Sequence, residues 1–457
     1  MKIKVISRSE EDETRQSTSE LRKLHRNLDP NLHPLERPRE YVRALNTTKL
    51  DRVFAKPFVG SLSGHTDGIF SLTRHTSQLN CVASGSCDGV IKIWNLSEMN
   101  ERSTIQAHDG FVRGLVFANY SSTYSPTEDG NLLISCGEDK TIKFWKLQTP
   151  EYTHDSDALP VQIYNGKNAF TSIDHQRNSG IFATSSSQYV EIWNQSRSTP
   201  LQTLSWGYGS VSKIKFNPIE INLLASCTSD RAVIFYDIRE NSPSQKLTTL
   251  MRSNSIAWNP MESYTLALAN EDENLYQYDI RNLSKAYSVH RDHVGAILDV
   301  DYSPTGKDMV TGSYDKTIRI FPTSERYNSR EVYHTNRMQR IFTVMFTADS
   351  RFILSGSDDM NIRLWKSNAS EKLGIQSHRQ KEKTNYQEKL KEKFKEIPEI
   401  KTITNHRRVS KDIYKKRFIK NEMFKAKNRK INNVAKNTGK VPKTPNSLSS
   451  HTVVVDK

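Results

Sequence analysis

Short runs in which apolar and polar residues alternate recur along most of this chain, and each run ends on an aromatic residue. In SGSCDGVIKIW, a short strand is followed by a turn containing Asp88 and Gly89, and then by a second alternating strand. This arrangement predicts a β-hairpin. Seven segments share the pattern, and they end at Trp94, Trp145, Trp193, Tyr236, Tyr278, Phe321 and Trp365.

The spacing of these aromatic residues indicates an internal repeat. Consecutive aromatics lie 51, 48, 43, 42, 43 and 44 residues apart, close to the roughly 40–45 residues of a four-stranded propeller blade. An acid repeated at one offset in the turn indicates a structural device. Six residues before the aromatic stand Asp88, Asp139, Ser187, Asp230, Asp272, Asp315 and Asp359.

A histidine also precedes several hairpins, four residues before an apolar position. The pairs are His65 and Ile69, His108 and Val112, His290 and Val294, and His334 and Met338. With the turn acid and final Trp, this pattern resembles the G-H…W-D signature of WD repeats, which implies four-stranded blades around a central channel. The resemblance also implies hydrogen-bonded tetrads made of His65, Ser84, Asp88 and Trp94; of His108, Ser135, Asp139 and Trp145; and of His334, Ser355, Asp359 and Trp365.

The same three residue types, His, Ser and Asp, also form hydrolytic triads. A catalytic set occurs once in a chain, whereas this set recurs at blade intervals, so we interpret it as architecture. Blade three lacks both His and Asp, and blade five has Leu268 in place of Ser, so we expect those blades to depend more on apolar packing. No phosphate-binding loop, H-E-x-x-H motif or nucleophile elbow occurs. We therefore expect no enzyme, catalytic residue, metal, cofactor or small-molecule substrate.

The repeat predicts how the ring closes. Residues 52–62, RVFAKPFVGSL, precede the first hairpin, and no comparable strand follows the last one. We expect them to pair outside the strand ending at Trp365, because an open sheet edge invites association. Residues 1–50 are expected to form an arm, and three prolines favour extended chain there. They are Pro30, Pro34 and Pro38.

These boundaries define an all-β, seven-bladed WD-repeat propeller at residues 51–366, with an extended N-terminal arm and a basic helical C-terminal extension at residues 367–457. The wide spacing of the second and third repeats indicates surface insertions at residues 120–130 and 151–160. In the extension, TNYQEKLKEKFKEIPEIK predicts a helix that ends before Pro398. Its apolar stripe, made of Tyr386, Leu390, Phe394 and Ile397, is expected to dock on the propeller, or alternatively to bind a partner.

Positive charge is concentrated in the extension. The chain has a net charge of +15. Residues 366–457 contain 25 Lys or Arg against 9 Asp or Glu, which leaves 41 against 42 in the preceding part. A strongly basic segment indicates a polyanionic partner, and the aromatic residues among the cations would suit base stacking. A nuclear-import signal or a merely solvated face are the alternatives.

The candidate RNA-binding cations lie in residues 407–430. They are Arg407, Arg408, Lys411, Lys415, Lys416, Arg417, Lys420, Lys425, Lys427, Arg429 and Lys430. The four cysteines show no C-x-x-C pair, so we expect buried free thiols rather than a zinc site. The charged N-terminus lacks the apolar segment of a signal peptide, and no apolar run is long enough to span a membrane. We therefore expect an intracellular, soluble protein with no membrane partner.

Segments outside the repeats narrow the resemblance. RNLDPNLHPLERPREYVRALNTTKLDRVFAKPF, MRSNSIAWNPMESY and EKLKEKFKEIPEIKTITNHRRV together are similar to the Sof-type WD-repeat nucleolar protein. That resemblance covers residues 26 to about 409. It implies a non-enzymatic component of the small-subunit processome in the nucleolus of the nucleus, with precursor rRNA, the small nucleolar RNP and other processome proteins as partners.

An alternative class is a substrate receptor of a cullin-RING ubiquitin ligase. The sequence YDIR occurs at 236–239 and again at 278–281, and it resembles the WD-x-R element through which such propellers dock the ligase adaptor. Arg239 and Arg281 would be the contacts. A strand-end Asp followed by a solvent-facing Arg is the structural alternative, and a signalling scaffold is a third class that the basic tail disfavours.

Overall fold

A computed structural model describes residues 30–118, 132–147, 159–205, 209–240, 242–324, 328–438 and 452–456. In these residues, seven antiparallel sheets form the predicted seven-bladed all-β propeller. Each hairpin found in the sequence supplies the second and third strands of one blade. The predicted insertion at 120–130, and 151–158 of the second insertion, lie outside the described residues.

The first three blades use twelve strands in chain order. Blade one contains β2 (Ile69–Arg74), β3 (Cys81–Ser86), β4 (Val90–Asn95) and β5 (Asn100–Gln106). Blade two contains β6 (Val112–Phe117), β7 (Leu132–Gly137), β8 (Thr141–Lys146) and β9 (Gln162–Asn165). Blade three contains β10 (Phe170–His175), β11 (Ile181–Ser186), β12 (Val190–Asn194) and β13 (Gln202–Leu204).

Blades four to six continue the order, and blade four gains a strand from the C-terminus. Blade four contains β14 (Val211–Phe216), β15 (Leu223–Thr228), β16 (Ala232–Asp237), β17 (Pro243–Thr249) and β29 (Thr452–Asp456). Blade five contains β18 (Ser253–Trp258), β19 (Thr265–Asn270), β20 (Leu275–Asp279) and β21 (Ser288–His290). Blade six contains β22 (Ile297–Tyr302), β23 (Asp308–Ser313), β24 (Ile318–Pro322) and β25 (Glu331–Tyr333).

Blade seven joins the two ends of the propeller. It contains β26 (Ile341–Phe346), β27 (Phe352–Ser357) and β28 (Asn361–Lys366), and its outer strand is β1 (Phe58–Ser63). The Lys366 N–H donates to the Pro57 carbonyl at 2.8 Å. Leu62 is buried in one cluster with Ile362 and Leu364. The predicted closing strand is therefore present, starting at Phe58 rather than at residue 52.

The turn acids act on the backbone of their own hairpins. The Val90 N–H donates to Asp88 at 2.9 Å and the Thr317 N–H donates to Asp315 at 3.0 Å. The residue after the Asp has a positive φ, which only glycine adopts without strain, so the carboxylate stabilises a turn that the chain would otherwise disfavour. These residues are Gly89, Lys140, Arg231, Glu273, Lys316 and Met360.

The prediction of an extended N-terminal arm is wrong for part of that region, because Glu36–Val53 forms helix α1. Pro38 lies in the first turn of α1, where backbone N–H groups have no partner within the helix, so proline is tolerated there. The arm–propeller boundary predicted at residue 50 therefore falls inside a helix.

The predicted C-terminal helix is α2 (His378–Lys393), and Pro398 also begins a further helix, α3 (Pro398–Asn405). Together α1, α2 and α3 form one compact unit. Ala44, Leu390 and Ile400 are buried together in it. The apolar stripe of α2 thus packs on α1, the helix that the sequence analysis missed. A last helix, α4 (Lys411–Thr438), and β29 belong to a second compact unit with the propeller.

Candidate nucleic-acid and partner interfaces

The strand order gives the propeller two faces. Turns between the second and third strands, and loops that enter the next blade, lie on what we term the upper face, which carries Asp88, Asp139 and Asp315. Loops between first and second strands, and between third and fourth, lie on the lower face, which carries Asp237 and Asp279. Antiparallel pairing places these two sets of connections at opposite ends of the strands.

The tetrad of blade two is complete. His108 lies 2.8 Å from Asp139 through Nδ1 and 2.8 Å from Ser135 through Nε2, and Trp145 donates to Ser135 Oγ at 2.9 Å. Burial opposes ionisation of Asp139, but the hydrogen bond and charge of His108 outweigh it and lower the carboxyl pKa to about 2. The Ser135 side chain is fully buried. A hydroxyl without access to substrate cannot act as a nucleophile, so this set locks the blade.

Blade one makes two of the three hydrogen bonds predicted for its tetrad. Ser84 Oγ lies 2.7 Å from His65 Nε2 and accepts from Trp94 Nε1 at 2.8 Å. Asp88 is bonded by Thr66 instead of His65, through the hydroxyl at 2.6 Å and the backbone N–H at 3.2 Å. Burial lowers the pKa of His65 to about 4, so the ring is neutral at pH 7.

Two histidines were assigned wrongly from the sequence. Blade six uses His293, which lies 2.6 Å from Thr311 and 3.0 Å from Asp315, whereas His290 ends β21 of blade five. The correct histidine stands four residues before the first residue of the blade's innermost strand, here Ile297. His290 stands seven residues before that strand, so it lies on the preceding blade.

His334 was assigned wrongly to the tetrad of blade seven for the same reason. It stands seven residues before β26, and in the described part of the chain it forms no hydrogen bond with Ser355 or Asp359. Trp365 still donates to Ser355 Oγ at 3.0 Å. The partner of Asp359 is Arg363, whose Nη1 lies 3.0 Å from Oδ1. In this blade, the guanidinium of Arg363 on β28 therefore takes the place that a histidine ring has beside Asp139 in blade two.

Helix α4 lies against the upper face of blades five and six. Ile413 is buried. Arg417 Nη2 lies 3.1 Å from Asp292 Oδ1, and Lys420 Nζ donates to the His293 carbonyl at 2.9 Å. Lys420 also forms an ion pair with Glu273. Two of the predicted RNA-binding cations are thus paired with acids of the propeller.

The other candidate cations fall into two groups. Arg407 belongs to the unit of α1 to α3 and donates to the His406 carbonyl at 3.1 Å. The remaining candidates are exposed side chains on or just before α4, namely Arg408, Lys411, Lys415, Lys416, Lys425, Lys427, Arg429 and Lys430. Tyr414 and Phe418, which are 68% and 61% exposed, follow one another at a spacing of four along the same helix. α4 therefore offers cations and aromatic rings to solvent together.

Sequence reasoning did not predict the propeller acids that pair with α4, which are Asp292 and Glu273. Asp292 is 5% exposed and lies 2.9 Å from Arg319, whose side chain is only 1% exposed. Burial opposes ionisation of Asp292, but the positive charge of Arg319 and the hydrogen bonds from Ser329 outweigh it and lower the pKa of the carboxyl group. The available signal was the dipeptide Asp292–His293, because an acid next to a tetrad histidine is placed at the upper face by the fold.

Arg239 and Arg281 occupy matching positions on the lower face of blades four and five. Arg281 Nη2 lies 2.8 Å from Asp279, and its guanidinium stacks 3.7 Å from the centre of the Tyr264 ring. With the Asn222 amide oriented so that its oxygen faces the guanidinium, that oxygen accepts from Arg239 Nε at 3.0 Å and Nη2 at 2.7 Å. Both arginines are exposed, and the neighbouring first loops of these blades expose Ile219, Ile221 and Met261. The lower face thus combines two fixed guanidinium groups with apolar side chains.

The central channel is a cavity of about 340 Å³ lined by the innermost strands. Its charges are largely paired: Lys215 lies 3.0 Å from Asp174, and Asp299 accepts from Ser255 at 2.7 Å and Thr343 at 3.0 Å. All four cysteines are free thiols. Among the described residues, no helix has the length and apolarity needed to cross a bilayer, and no group of His, Cys, Asp and Glu is arranged to hold a metal ion.

The repeats and the extension define a class of protein. A family model for the WD domain, G-beta repeat, matches residues 56–95, 99–146, 284–321 and 330–366, and a model for the Sof1-like domain matches residues 367–451. The molecule is therefore a WD-repeat propeller with a Sof1-like C-terminal domain. α4 lies within that domain.

Relatives along the full length define the family more closely. DDB1- and CUL4-associated factor 13 of Dictyostelium discoideum is 70% identical over 456 residues, which cover 100% of each chain. The proteins of that name from Homo sapiens and Danio rerio are each 50% identical, over 100% and 97% of each chain. The chain belongs to the DDB1- and CUL4-associated factor 13 family.

Proposed function

We propose that this protein is a non-enzymatic ribosome-biogenesis factor of the nucleolus. It acts as a component of the small-subunit processome, needed for processing of precursor rRNA and maturation of the small ribosomal subunit, in association with the small nucleolar RNP. The observation that carries this proposal is α4, a basic helix of the Sof1-like domain held on a propeller that carries no excess of positive charge. The propeller offers protein-binding faces and the helix offers affinity for RNA.

The exposed surface of α4 suits RNA by its chemistry. Exposed Lys and Arg side chains neutralise phosphates and release counterions, which gives affinity without sequence preference. Tyr414 and Phe418 can each stack on an unpaired base, a contact that every base can make. The helix therefore binds RNA through phosphates and base faces.

A chain ending at Val409 tests this function. It lacks α4 and β29, and loses 13 Lys or Arg against 3 Asp or Glu, while α1 to α3 and all seven blades remain. It should stay folded and lose most of its affinity for structured precursor RNA in filter binding. If about six cations contact phosphate in the full chain, log affinity should fall with log salt at a slope of about −4.

The matched control deletes only residues 439–457 and keeps α4 intact. This variant should bind RNA nearly as tightly as the full chain. RNA affinity unchanged in the chain ending at Val409, together with loss of nuclear entry, would mean that α4 is an import signal and would contradict the RNA function.

Docking to a ubiquitin-ligase adaptor is a second candidate function. It is supported by the two exposed arginines at equivalent positions on the lower face and by the name of the relatives, which associates them with DDB1 and CUL4. Arg239→Ala with Arg281→Ala should abolish recovery of DDB1 in a pulldown. Arg197→Ala, an exposed arginine in the corresponding loop of blade three, is the control. Equal DDB1 recovery with both variants would leave the adaptor function without support from this face.

The two candidate functions use opposite faces of the propeller. α4 contacts the upper face, and both YDIR arginines lie on the lower face. The double arginine variant should therefore still sediment with large pre-ribosomal particles. This separation lets each function be removed without the other.

A further inference from the structure

The cations of α4 point in different directions, and the helical repeat sorts them. Ile413, Arg417 and Lys420 are spaced by four and three residues, so they share one face of the helix. The half-buried Phe424 continues that face. Lys411 and Lys415 lie on the opposite, exposed surface. The face that meets the propeller is thus a narrow stripe, and most cations lie outside it.

Arg417 contacts a carboxylate that is already engaged inside the propeller. Asp292 accepts the Ser329 N–H at 3.2 Å, and its Oδ2 lies 2.9 Å from Arg319. Arg417 approaches the other oxygen, Oδ1, at 3.1 Å. Salt screens such a pair less than it screens an exposed one, because the carboxylate is buried.

Lys420 contacts two neighbouring blades. It donates to the carbonyl of His293, the tetrad histidine of blade six, and pairs with Glu273 of blade five. Glu273 has a φ of 70° in a tight turn that the Asp272 carboxylate holds by accepting the Asn274 N–H at 3.1 Å. Since His293 is itself held by Asp315 and Thr311, both partners of Lys420 are rigid. Arg417 and Lys420 together determine the place and the rotation of α4.

We propose that Arg417 and Lys420 are positioning residues that hold α4 on blades five and six, so that Lys411, Lys415 and the aromatic pair face the RNA. They contact acids of the propeller and no phosphate. This proposal rests on the RNA-binding function proposed above, although the positioning itself can be measured without RNA.

Hydrogen exchange of the full chain without RNA tests the positioning. Lys420→Glu places two carboxylates together, so amides in residues 411–431 should exchange about 10-fold faster or more. Combining it with Glu273→Lys restores an opposite pair and should restore slow exchange. Lys415→Glu, the matched control on the exposed surface opposite the stripe, should leave exchange unchanged. Unchanged exchange in Lys420→Glu, or no rescue by the swap, would overturn the proposal.

Binding of a single-stranded RNA of unrelated sequence across a salt series separates positioning from phosphate contact. Arg417→Gln with Lys420→Gln should weaken binding by about 3-fold to 10-fold, because fewer molecules hold α4 in place, and should leave the salt slope unchanged. Lys411→Gln with Lys415→Gln removes the same charge and should flatten the slope by about 1.4.

The outcomes distinguish the two levels of the argument. A slope flattened equally by the Arg417 and Lys420 pair would make these residues phosphate contacts and overturn the positioning role. RNA binding unaffected by either pair, with the exchange results as expected, would remove the RNA function and leave the positioning role in place.

Discussion

At the scale of single residues, Asp315 shows how a blade is locked. Its carboxylate accepts hydrogen bonds from the Val294 N–H at 3.2 Å, the Thr317 hydroxyl at 2.6 Å and His293 at 3.0 Å. Burial opposes its ionisation, but His293 and the neighbouring donors prevail and lower its pKa. The charge is therefore part of the folded structure at neutral pH.

Asp315→Ala should destabilise the protein by about 1–3 kcal/mol, because buried donors lose their acceptor. Asp272→Ala in blade five should have a smaller effect. The donors to Asp272, Asn274 and Tyr276, belong to its own hairpin. Asp315 also joins its hairpin to the loop that enters the blade, through His293 and Val294, so its loss removes more of the structure. Urea midpoints of the two variants check this order, and equal shifts would contradict the tetrad assignment.

Buried neutral histidines should make the propeller sensitive to acid. Burial lowers the pKa of His65 and of His175 to about 4 in the folded state, whereas the unfolded value is about 6.5. Stability from each is full above pH 6.5 and is lost as pH falls from 6.5 toward 4, by up to about 1.4 kcal/mol per pH unit. Urea unfolding between pH 7.5 and 5 measures the slope. His65→Asn should reduce the slope, and an unchanged slope would contradict this assignment.

At the scale of elements, the sequence predicted the hairpins correctly, because the same pattern recurs in every blade. Alternating residues before Trp94 and Trp365 identify hairpins because one face of each strand is buried. The histidines were harder to assign, since His290 and His293 both precede blade six and only the start of β22 distinguishes them. α1 was missed because Pro38, like the two prolines before the helix, suggests extended chain in the sequence, whereas a proline in the first turn of a helix is tolerated.

The contacts of α4 could not be read from its own sequence. A run of Lys and Arg gives each cation the same appearance, and the partners of Arg417 and Lys420 lie more than a hundred residues away. Only the fold brings Asp292 and Glu273 to one face. The sequence therefore predicted a basic helix suited to a polyanionic partner, without separating the cations that contact the propeller from those that stay exposed.

β29 covers the outer edge of blade four. β17 and β5 are each seven residues long, and β17 pairs with β29 through residues such as Leu247 and Val455. Deleting residues 439–457 should speed hydrogen exchange in β17 and leave β5 unchanged, because only β17 loses a partner. Concentration-dependent association of the deleted form would be consistent with an exposed edge. Equal exchange in β17 before and after deletion would contradict the pairing.

At the scale of the whole molecule, closure of the ring depends on one short strand. A chain beginning at Pro57 lacks α1 but keeps β1, and it should retain a cooperative thermal transition. A chain beginning at Gly64 lacks β1 and leaves the β28 edge open. It should melt at a lower temperature and associate, as calorimetry and sedimentation would measure. Identical transitions for the two chains would rule out β1 as the closing strand.

Closure by β1 also determines when the ring can form during synthesis of the chain. β1 is translated before all seven blades and its partner β28 is the last strand of blade seven, so the ring stays open while residues 64–360 are made. At roughly 5–20 residues per second, this interval lasts about 15–60 s. Six blades are therefore complete before β1 can pair with β28. A chain whose translation stops before Lys366 lacks part of β28 and cannot close the ring. Closure thus distinguishes a chain translated through its last blade from every shorter product.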